Sequence, residues 1–512
     1  MERKKENLFI NAILLTATMM IMRSIGVIFN VYISNEIGTE GMGLYKLIGT
    51  VSMIAITFAT SGVSSAVTRI VAEEVSKKEY NNVKYVMLKA CTICGVLGIT
   101  ACIILSVFSK DIASLFLKDT RVILSLKIFA VSIPFISISA CLKGYFYAVR
   151  DIFIPITNQL AEEFIKISVI ILLLLDLAVS VKLEYGCAVL VLGAALSDIL
   201  SCFYVFIAYK LDNKESGYLI NIKENTKGLT KRLFKISVPI AANSYLMSIF
   251  STVQMILIPL SLIKFGMSES EAISVLGGVM GMVFPIIMFP ATLLMSLAMV
   301  LMPEISRARA INNKERLNSI INRSIGFTSI IGIISFFIFF TFYNELSMAI
   351  YNRQDIGMIF KVISFIIPFM YLDMIMGGIL NGLNEQVKSL EYQIMESILK
   401  ILGIYFLVPI KGIEGLIIVI FISTIFSFTL NFVTVVKVTN IKINLLNWVV
   451  MPMIFGIIST IFGRLIWGVL THNTLVIEVN TIIAVSCAGI VYLILLKTFN
   501  CIKIRDWYIC GI

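Results

Sequence analysis

The chain has a single histidine, His472, among 512 residues, which rules out a histidine metal cluster. It has no phosphate-cradling glycine loop, no zinc motif and no Ser/His/Asp set. Gly41-Met-Gly43 lacks the strand–turn–helix setting of a nucleotide fingerprint. Nothing encodes an ATPase. The sequence therefore reads as a non-enzyme with no cofactor. Any work it does must draw on gradients, on the membrane potential, or on supply and removal of a substrate.

Charge is also scarce. Only 14% of residues are charged, against 58% hydrophobic, and the mean hydropathy is +0.95. A soluble domain of this size cannot hide so much apolar surface, so the class is a polytopic membrane protein. The nine cysteines fall mostly in apolar runs and show no pattern of extracellular pairing. Cys91 and Cys94 form a CxxC inside a helical apolar run, without a second pair, so an apolar packing role outweighs a metal or redox one. The net charge of +11 could suggest nucleic acid. The cations sit in short connections between apolar runs, however, which is the footprint of membrane orientation and leaves no nucleic-acid partner. Met1-Glu-Arg-Lys-Lys-Glu-Asn7 resembles the start of a signal peptide. The apolar run after it is too long and lacks a clear cleavage site, so it reads as an uncleaved first span.

Apolar runs long enough to cross a bilayer need roughly 20 residues. Fourteen spans are expected, at about 8–33, 44–71, 85–108, 122–149, 152–176, 183–209, 233–262, 272–302, 318–342, 357–382, 387–410, 412–436, 445–470 and 474–497. Each is helical, because a lipid-exposed segment must satisfy its own backbone. With both termini cytoplasmic, Lys and Arg concentrate at the N-terminus, in the connections after even-numbered spans and in the C-terminal tail, as the positive-inside rule requires. A miscounted span would scramble that bias. The longest connection, Lys210 to Lys235, carries seven cations and reads as a linker between halves.

The halves repeat. Ile133-Pro-Phe135 recurs as Ile367-Pro-Phe369, an offset of 234. At the same offset Gly144 meets Gly378, Gln159 meets Gln393, Glu162 meets Glu396, Lys166 meets Lys400 and Ile167 meets Ile401. Matches among Gln, Glu and Lys are not cheap inside spans. Six spans separate the copies, an even number, so the repeats are parallel about an axis along the membrane normal. The expected fold is all-α, with about 14 transmembrane helices in two six-helix lobes plus two extra C-terminal helices. The boundaries are an N-lobe at 1–210, a basic cytoplasmic linker at 211–235, a C-lobe at 236–440, and 441–512 for the last two spans and the tail.

Polar residues inside spans carry the functional signal. Arg23 lies mid-span, where a cation costs about 2.5–3.5 kcal/mol on insertion scales. It either pairs with a carboxylate on another helix or lines a substrate path. Glu162 and Lys166 stand one turn apart on span 5, where they can pair. Glu396 and Lys400 repeat this on span 11. Such pairs either lock helices together or serve transport. Lys46, near the outer end of span 2, either snorkels or touches ligand. Asp198 and Asp373 are isolated carboxylates that either bind a cation or proton or cap a neighbouring helix. Arg464 reads as an ion-pair or interface residue, and Arg69 with Glu73 as a solvated rim. Arg23 with Lys46 favours an anion, above all a phosphate or pyrophosphate that a guanidinium can hold bidentately.

Several stretches are familiar. Phe29-Asn-Val-Tyr-Ile33 followed by Ile37-Gly-Thr-Glu-Gly-Met-Gly-Leu-Tyr45, then Ser61-Gly-Val-Ser-Ser-Ala-Val-Thr-Arg-Ile-Val-Ala-Glu-Glu74, and Lys143-Gly-Tyr-Phe-Tyr147 with Gln159 and Glu162, resemble the stage V sporulation protein B and polysaccharide transporter family. That family is related to MurJ-type lipid II flippases and to the multidrug and toxic compound exporters. The resemblance implies a V-shaped bundle of two lobes working by alternating access. It implies a cargo such as an undecaprenyl-pyrophosphate-linked saccharide, moved to the outer leaflet. It places Arg23 where the flippases keep a first-span arginine for the pyrophosphate, and it implies that spans 13 and 14 help form a groove for the lipid tail. The chain departs at two points. Phe29 and Asn30 stand where those flippases carry a second cation late in span 1, and Leu276 to Pro303 has no basic residue where they carry an arginine.

The leading expectation is therefore a plasma-membrane flippase for an anionic lipid-linked oligosaccharide or peptidoglycan precursor, with a place in spore cortex formation implied by the resemblance. Its substrate would meet Arg23, Lys46, Asn30, Glu162 and Lys166. Asp198, Asp373 and Glu396 are the candidates for coupling to a cation or proton. The expected partners are the lipid-linked saccharide, membrane lipids and a coupling ion, with the protein a monomer. The alternatives are a cation-coupled exporter of small organic molecules, and a non-transporting scaffold or scramblase recruited through the basic linker.

Overall fold

A computed structural model describes residues 8–60, 62–176, 183–215, 227–441, 444–471 and 476–499. Of the features expected above, residues 1–7, linker residues 216–226, His472 and the tail from 500 onward lie outside the described residues.

All regular structure among the described residues is helical. The helices are α1 (Leu8–Thr60), α2 (Val63–Ser76), α3 (Tyr80–Val107), a single turn α4 (Ser109–Asp111), α5 (Ile123–Ala148), α6 (Phe153–Asp176), α7 (Leu183–Glu215), α8 (Lys227–Phe265), α9 (Glu269–Leu276), α10 (Phe284–Ala310), α11 (Lys314–Thr341), α12 (Tyr343–Tyr351), α13 (Gly357–Ser364), α14 (Ile367–Gly382), α15 (Gln386–Thr439), α16 (Met451–Thr471) and α17 (Ile477–Thr498). A π-helical stretch, Gly277–Val283, joins α9 to α10.

Among the described residues, ten helices are long and apolar enough to cross a membrane, or eleven when the pair α13 and α14, bent by 55°, counts as one. The expected fourteen differs from this in three places. Spans 1 and 2 both lie in α1, as two helices that meet at a kink at Gly38, φ 69° and ψ −174°. Spans 11 and 12 both lie in α15, as two helices that meet at a kink at Gly412, φ 58° and ψ −134°. Those backbone conformations suit glycine, which has no Cβ to clash. Span 5 is α6, and any 18-residue stretch of it includes Glu162, Glu163 and Lys166, more than two charges.

The chain forms two compact units, one of residues 41–256 and one of residues 8–40 with 257–512. In the first, α5 packs against α2, α3 and α7, while α6 lies on α7. Its core holds Ile70, Met87, Leu142 and Phe146, with Leu229 and Leu233 from the start of α8. In the second, α14 packs against α10, α11 and α15. The pair α16 and α17 rests on α11 and α12, where Tyr492 donates its hydroxyl to the Ile330 carbonyl at 3.1 Å. Arg464 of α16 pairs with Glu345 of α12 at 2.5 Å.

The repeat seen in the sequence has a packing counterpart within each unit. A Cβ built on Gly98 of α3 would lie 2.7 Å from the Pro134 Cα of α5, and one on Gly332 of α11 would lie 3.0 Å from the Pro368 Cα of α14. Likewise Gly144 sits against Ser64 of α2, and Gly378 against Ala298 of α10. All four correspondences keep the offset of 234. The two copies differ in how they use the proline. Pro134 lies within continuous α5, whereas Pro368 stands in the first turn of α14, just past the bend. Proline lacks an N–H, so it is tolerated at a helix start and tends to kink a helix interior.

Candidate functional site

Polar side chains that the apolar helices would not tolerate singly are gathered in clusters. In the first unit, three consecutive helices contribute. Lys143 of α5 pairs with Glu162 of α6 at 3.3 Å, and the Ser201 hydroxyl of α7 donates to the same carboxylate at 2.8 Å. Asn158, fully buried one turn before Glu162, completes the network. With its amide oxygen turned to the ammonium, it accepts from Lys143 Nζ at 3.0 Å and donates to the Ser201 carbonyl at 3.0 Å. Lys166 pairs with Glu163 at 2.5 Å. The expected Glu162–Lys166 pair is therefore not formed. Glu162 is taken by Lys143 and Ser201, so Lys166 turns to the carboxylate three residues before it. Asp198 of α7 lies beside Ser132 of α5, within the field of Lys143, Lys166 and Glu162.

The second unit holds the related arrangement. Glu396 and Lys400 of α15 pair at 2.6 Å, as the spacing predicts. Asp373 of α14 accepts from Ser427 Oγ at 3.0 Å and from Asn431 Nδ2 at 2.8 Å, both on the later half of α15. Glu396 and Lys400 lie close enough to act on its charge. Each unit thus sets an aspartate between two helices, α5 and α7 in the first and α14 and the later half of α15 in the second, next to a Glu/Lys pair on α6 or on the earlier half of α15. The roles are exchanged between copies. Asp198 is on α7 with a serine on α5, while Asp373 is on α14 with Ser427 and Asn431 on α15.

The charges decide what these clusters can do. The first has two cations, Lys143 and Lys166, for three carboxylates, Glu162, Glu163 and Asp198. The second has Lys400 for Asp373 and Glu396. Among the groups named in each, one carboxylate exceeds the cations, so one further positive charge, a proton or a monovalent cation, would balance them. Buried charge is tolerated only when so matched.

Arg23 and Asn30 sit on the part of α1 that belongs to the second unit, and Lys46 on the part that belongs to the first. Arg23 is exposed, and among the described residues it forms no ion pair. Asn30 is half-buried, and its side-chain oxygen is buried with no donor to it among the described residues. Lys46 is half-buried. The structure therefore joins Glu162, Lys166 and Asp198 in one cluster, and Asp373 and Glu396 in another. Sequence reasoning missed Lys143, Asn158, Ser201, Ser427 and Asn431 as members. Their signal was polarity inside apolar runs, and Lys143 and Asn158 lie one turn or less from residues already singled out.

Comparison with known proteins gives a consistent picture. The family model described as polysaccharide biosynthesis protein matches residues 8–309. The chain is 24% identical to stage V sporulation protein B of Bacillus subtilis (strain 168), over 98% of this chain and 96% of that protein. It is 22% identical to the sporulation protein YkvU of the same organism, over 84% of this chain and 95% of that one. Among solved structures, lipid II flippase MurJ in an inward closed conformation aligns with a TM-score of 0.70 at 15% identity, covering 95% of this chain and 98% of that one. An inward-facing multidrug resistance MATE family transporter of the MOP superfamily aligns with a TM-score of 0.64 at 15% identity, covering 85% of this chain and all of the other. At such identities the structural likeness speaks to fold, and the fold is that of multi-span membrane transporters.

Proposed function

The chain belongs to the polysaccharide biosynthesis protein family, and from that premise we propose that it is a plasma-membrane flippase for an anionic lipid-linked saccharide. The single observation that carries the reading is Arg23, a cation on an apolar helix that is exposed and, among the described residues, has no carboxylate partner. A guanidinium held at that depth without a counter-charge is suited to receive one, and phosphate oxygens match its planar fork. In this reading Arg23 holds the phosphate or pyrophosphate, with Asn30 presenting its amide on the same helix and Lys46 adding charge. Glu162 and Lys166 meet the saccharide. The lipid tail stays in the bilayer, along a groove to which α16 and α17 contribute. The protein works as a monomer, by alternating access of two six-helix lobes with cytoplasmic termini. Its cargo is an oligosaccharide or a peptidoglycan precursor, and the similarity to a sporulation protein supports a place in spore cortex formation.

A second reading, a cation-coupled exporter of small molecules, is favoured by one observation. Among the groups named, each cluster holds one carboxylate more than its cations, centred on Asp198 in one unit and on Asp373 beside Glu396 in the other. The two readings separate in reconstituted vesicles loaded with a fluorescent lipid-linked saccharide. Arg23→Ala should abolish translocation of the lipid-linked probe, while Asp373→Asn should change its dependence on sodium or protons. Full translocation by Arg23→Ala would remove Arg23 from the substrate path. Transport of small organic cations by wild type, with the lipid-linked probe ignored, would favour the exporter.

A further inference from the structure

Outside these clusters, the first unit has a basic cavity where the end of α2 meets the start of α8. It has a volume of about 480 Å³ and is lined by Arg69, Arg232, Lys235, Ile236 and Ile240. The carboxylates nearby are already committed. Glu74 is almost wholly buried and is held by Asn82 at 2.8 Å, Lys77 at 3.4 Å and Arg232 at 3.7 Å. Glu73 is shared between Arg69 at 3.4 Å and Arg232. Lys235 is exposed and has no carboxylate partner among the described residues. Three cations therefore face the cavity: Arg69 and Arg232 share Glu73, Arg232 also reaches Glu74, and Lys235 alone has no carboxylate partner among the described residues.

The wall has a direction. Arg232, Ile236 and Ile240 follow one another at four-residue spacing, with Lys235 three residues after Arg232, so they share one side of α8. That face passes from charged to apolar within about two turns. A free anion would use only the charged end. An amphiphile with an anionic head and an alkyl chain would use both.

We infer that this cavity binds the headgroup phosphate of an anionic phospholipid, with its acyl chain along Ile236 and Ile240. The lipid supplies the missing negative charge and joins α2 to α8 without displacing the Arg232–Glu73 pair. By the charge bias of the sequence this end of the bundle is cytoplasmic, where anionic headgroups attract juxtamembrane Lys and Arg.

The test uses the full chain purified in detergent, with native mass spectrometry counting bound lipid. Probes are phosphatidylglycerol, phosphatidylcholine and inorganic phosphate. Variants are Lys235→Gln, which breaks no ion pair, and Arg69→Gln with Lys235→Gln. Wild type should retain phosphatidylglycerol about tenfold more tightly than phosphatidylcholine. The double variant should bring the two within about twofold, and Lys235→Gln alone should fall between. Unchanged phosphatidylglycerol retention in the folded Lys235→Gln variant would overturn the assignment. So would equal retention of phosphatidylcholine by wild type. Displacement of phosphatidylglycerol by millimolar inorganic phosphate would assign the cavity to a free anion instead.

Discussion

Replacing Arg464 by methionine should loosen the C-terminal helix pair by a predictable amount. Arg464 lies on α16 and Glu345 on α12, 2.5 Å apart, with side-chain exposures of 46% and 8%. The guanidinium also stacks 5.0 Å from the Trp467 ring. Methionine keeps most of the apolar stem contact and removes the charge. The Glu345 carboxylate is then left buried, and its second oxygen already has no hydrogen-bond donor among the described residues. Breaking a buried pair from one side costs about 3–5 kcal/mol. Half the arginine faces outward, so the expected loss is about 2 kcal/mol, roughly thirtyfold in the folding equilibrium. Glu345→Met should cost about 1 kcal/mol, because the stranded arginine can reach water. The double variant should return to within about 1 kcal/mol of wild type, since two apolar side chains replace a pair whose desolvation nearly cancels its attraction. Reversible unfolding in mixed detergent micelles, followed by tryptophan fluorescence, gives all three values, and two of the three tryptophans, Trp448 and Trp467, lie in this region. A double variant as unstable as the sum of the single losses would refute the reasoning, because it would mean that packing, not charge, holds the contact.

Other outcomes follow from the same geometry. Arg23→Ala should lower translocation of a lipid-linked saccharide at least tenfold, and Arg23→Lys should recover part of it, because an ammonium keeps the charge without the bidentate fork; equal activity of all three forms contradicts the anion-holding role. Gly98→Ala should cost about 1–3 kcal/mol in the unfolding assay, since its Cβ would fall 2.5 Å from Ser137 Oγ, whereas Gly332→Ala, nearest atom 3.0 Å, should cost less. The reverse order would show that the two seams are not packed as described. Asn431→Leu strips an amide donor 2.8 Å from Asp373 and should cost about 1–3 kcal/mol, detectable as a lower unfolding midpoint. Tyr145→Phe removes a 2.7 Å hydrogen bond to Asp212 from a buried ring and should cost about 1.5 kcal/mol, with no loss of helix content by circular dichroism.

The repeat was legible because rare residues recur at a fixed spacing, and the contacts of Gly144 and Gly378 fall where that spacing puts them. Gly98 and Gly332 obey the same offset but escaped notice, since glycine is common in membrane helices and only tertiary packing shows which ones meet a proline. The Glu396–Lys400 pair was readable from helical periodicity alone. The Glu162–Lys166 pair was not, because the competitor, Lys143, comes from another helix 19 residues away. Local spacing gives the pairs a helix permits, and the neighbouring helix chooses among them. Helix ends were the least readable feature, because at Gly38 and Gly412 one helix follows another directly across a kink, with no separate connection between them to mark the break.

The glycine–proline seam limits how far either unit can drift in sequence. In each, a glycine without a Cβ lies against a proline Cα, so neither partner of a seam can gain bulk without parting the two helices that meet there.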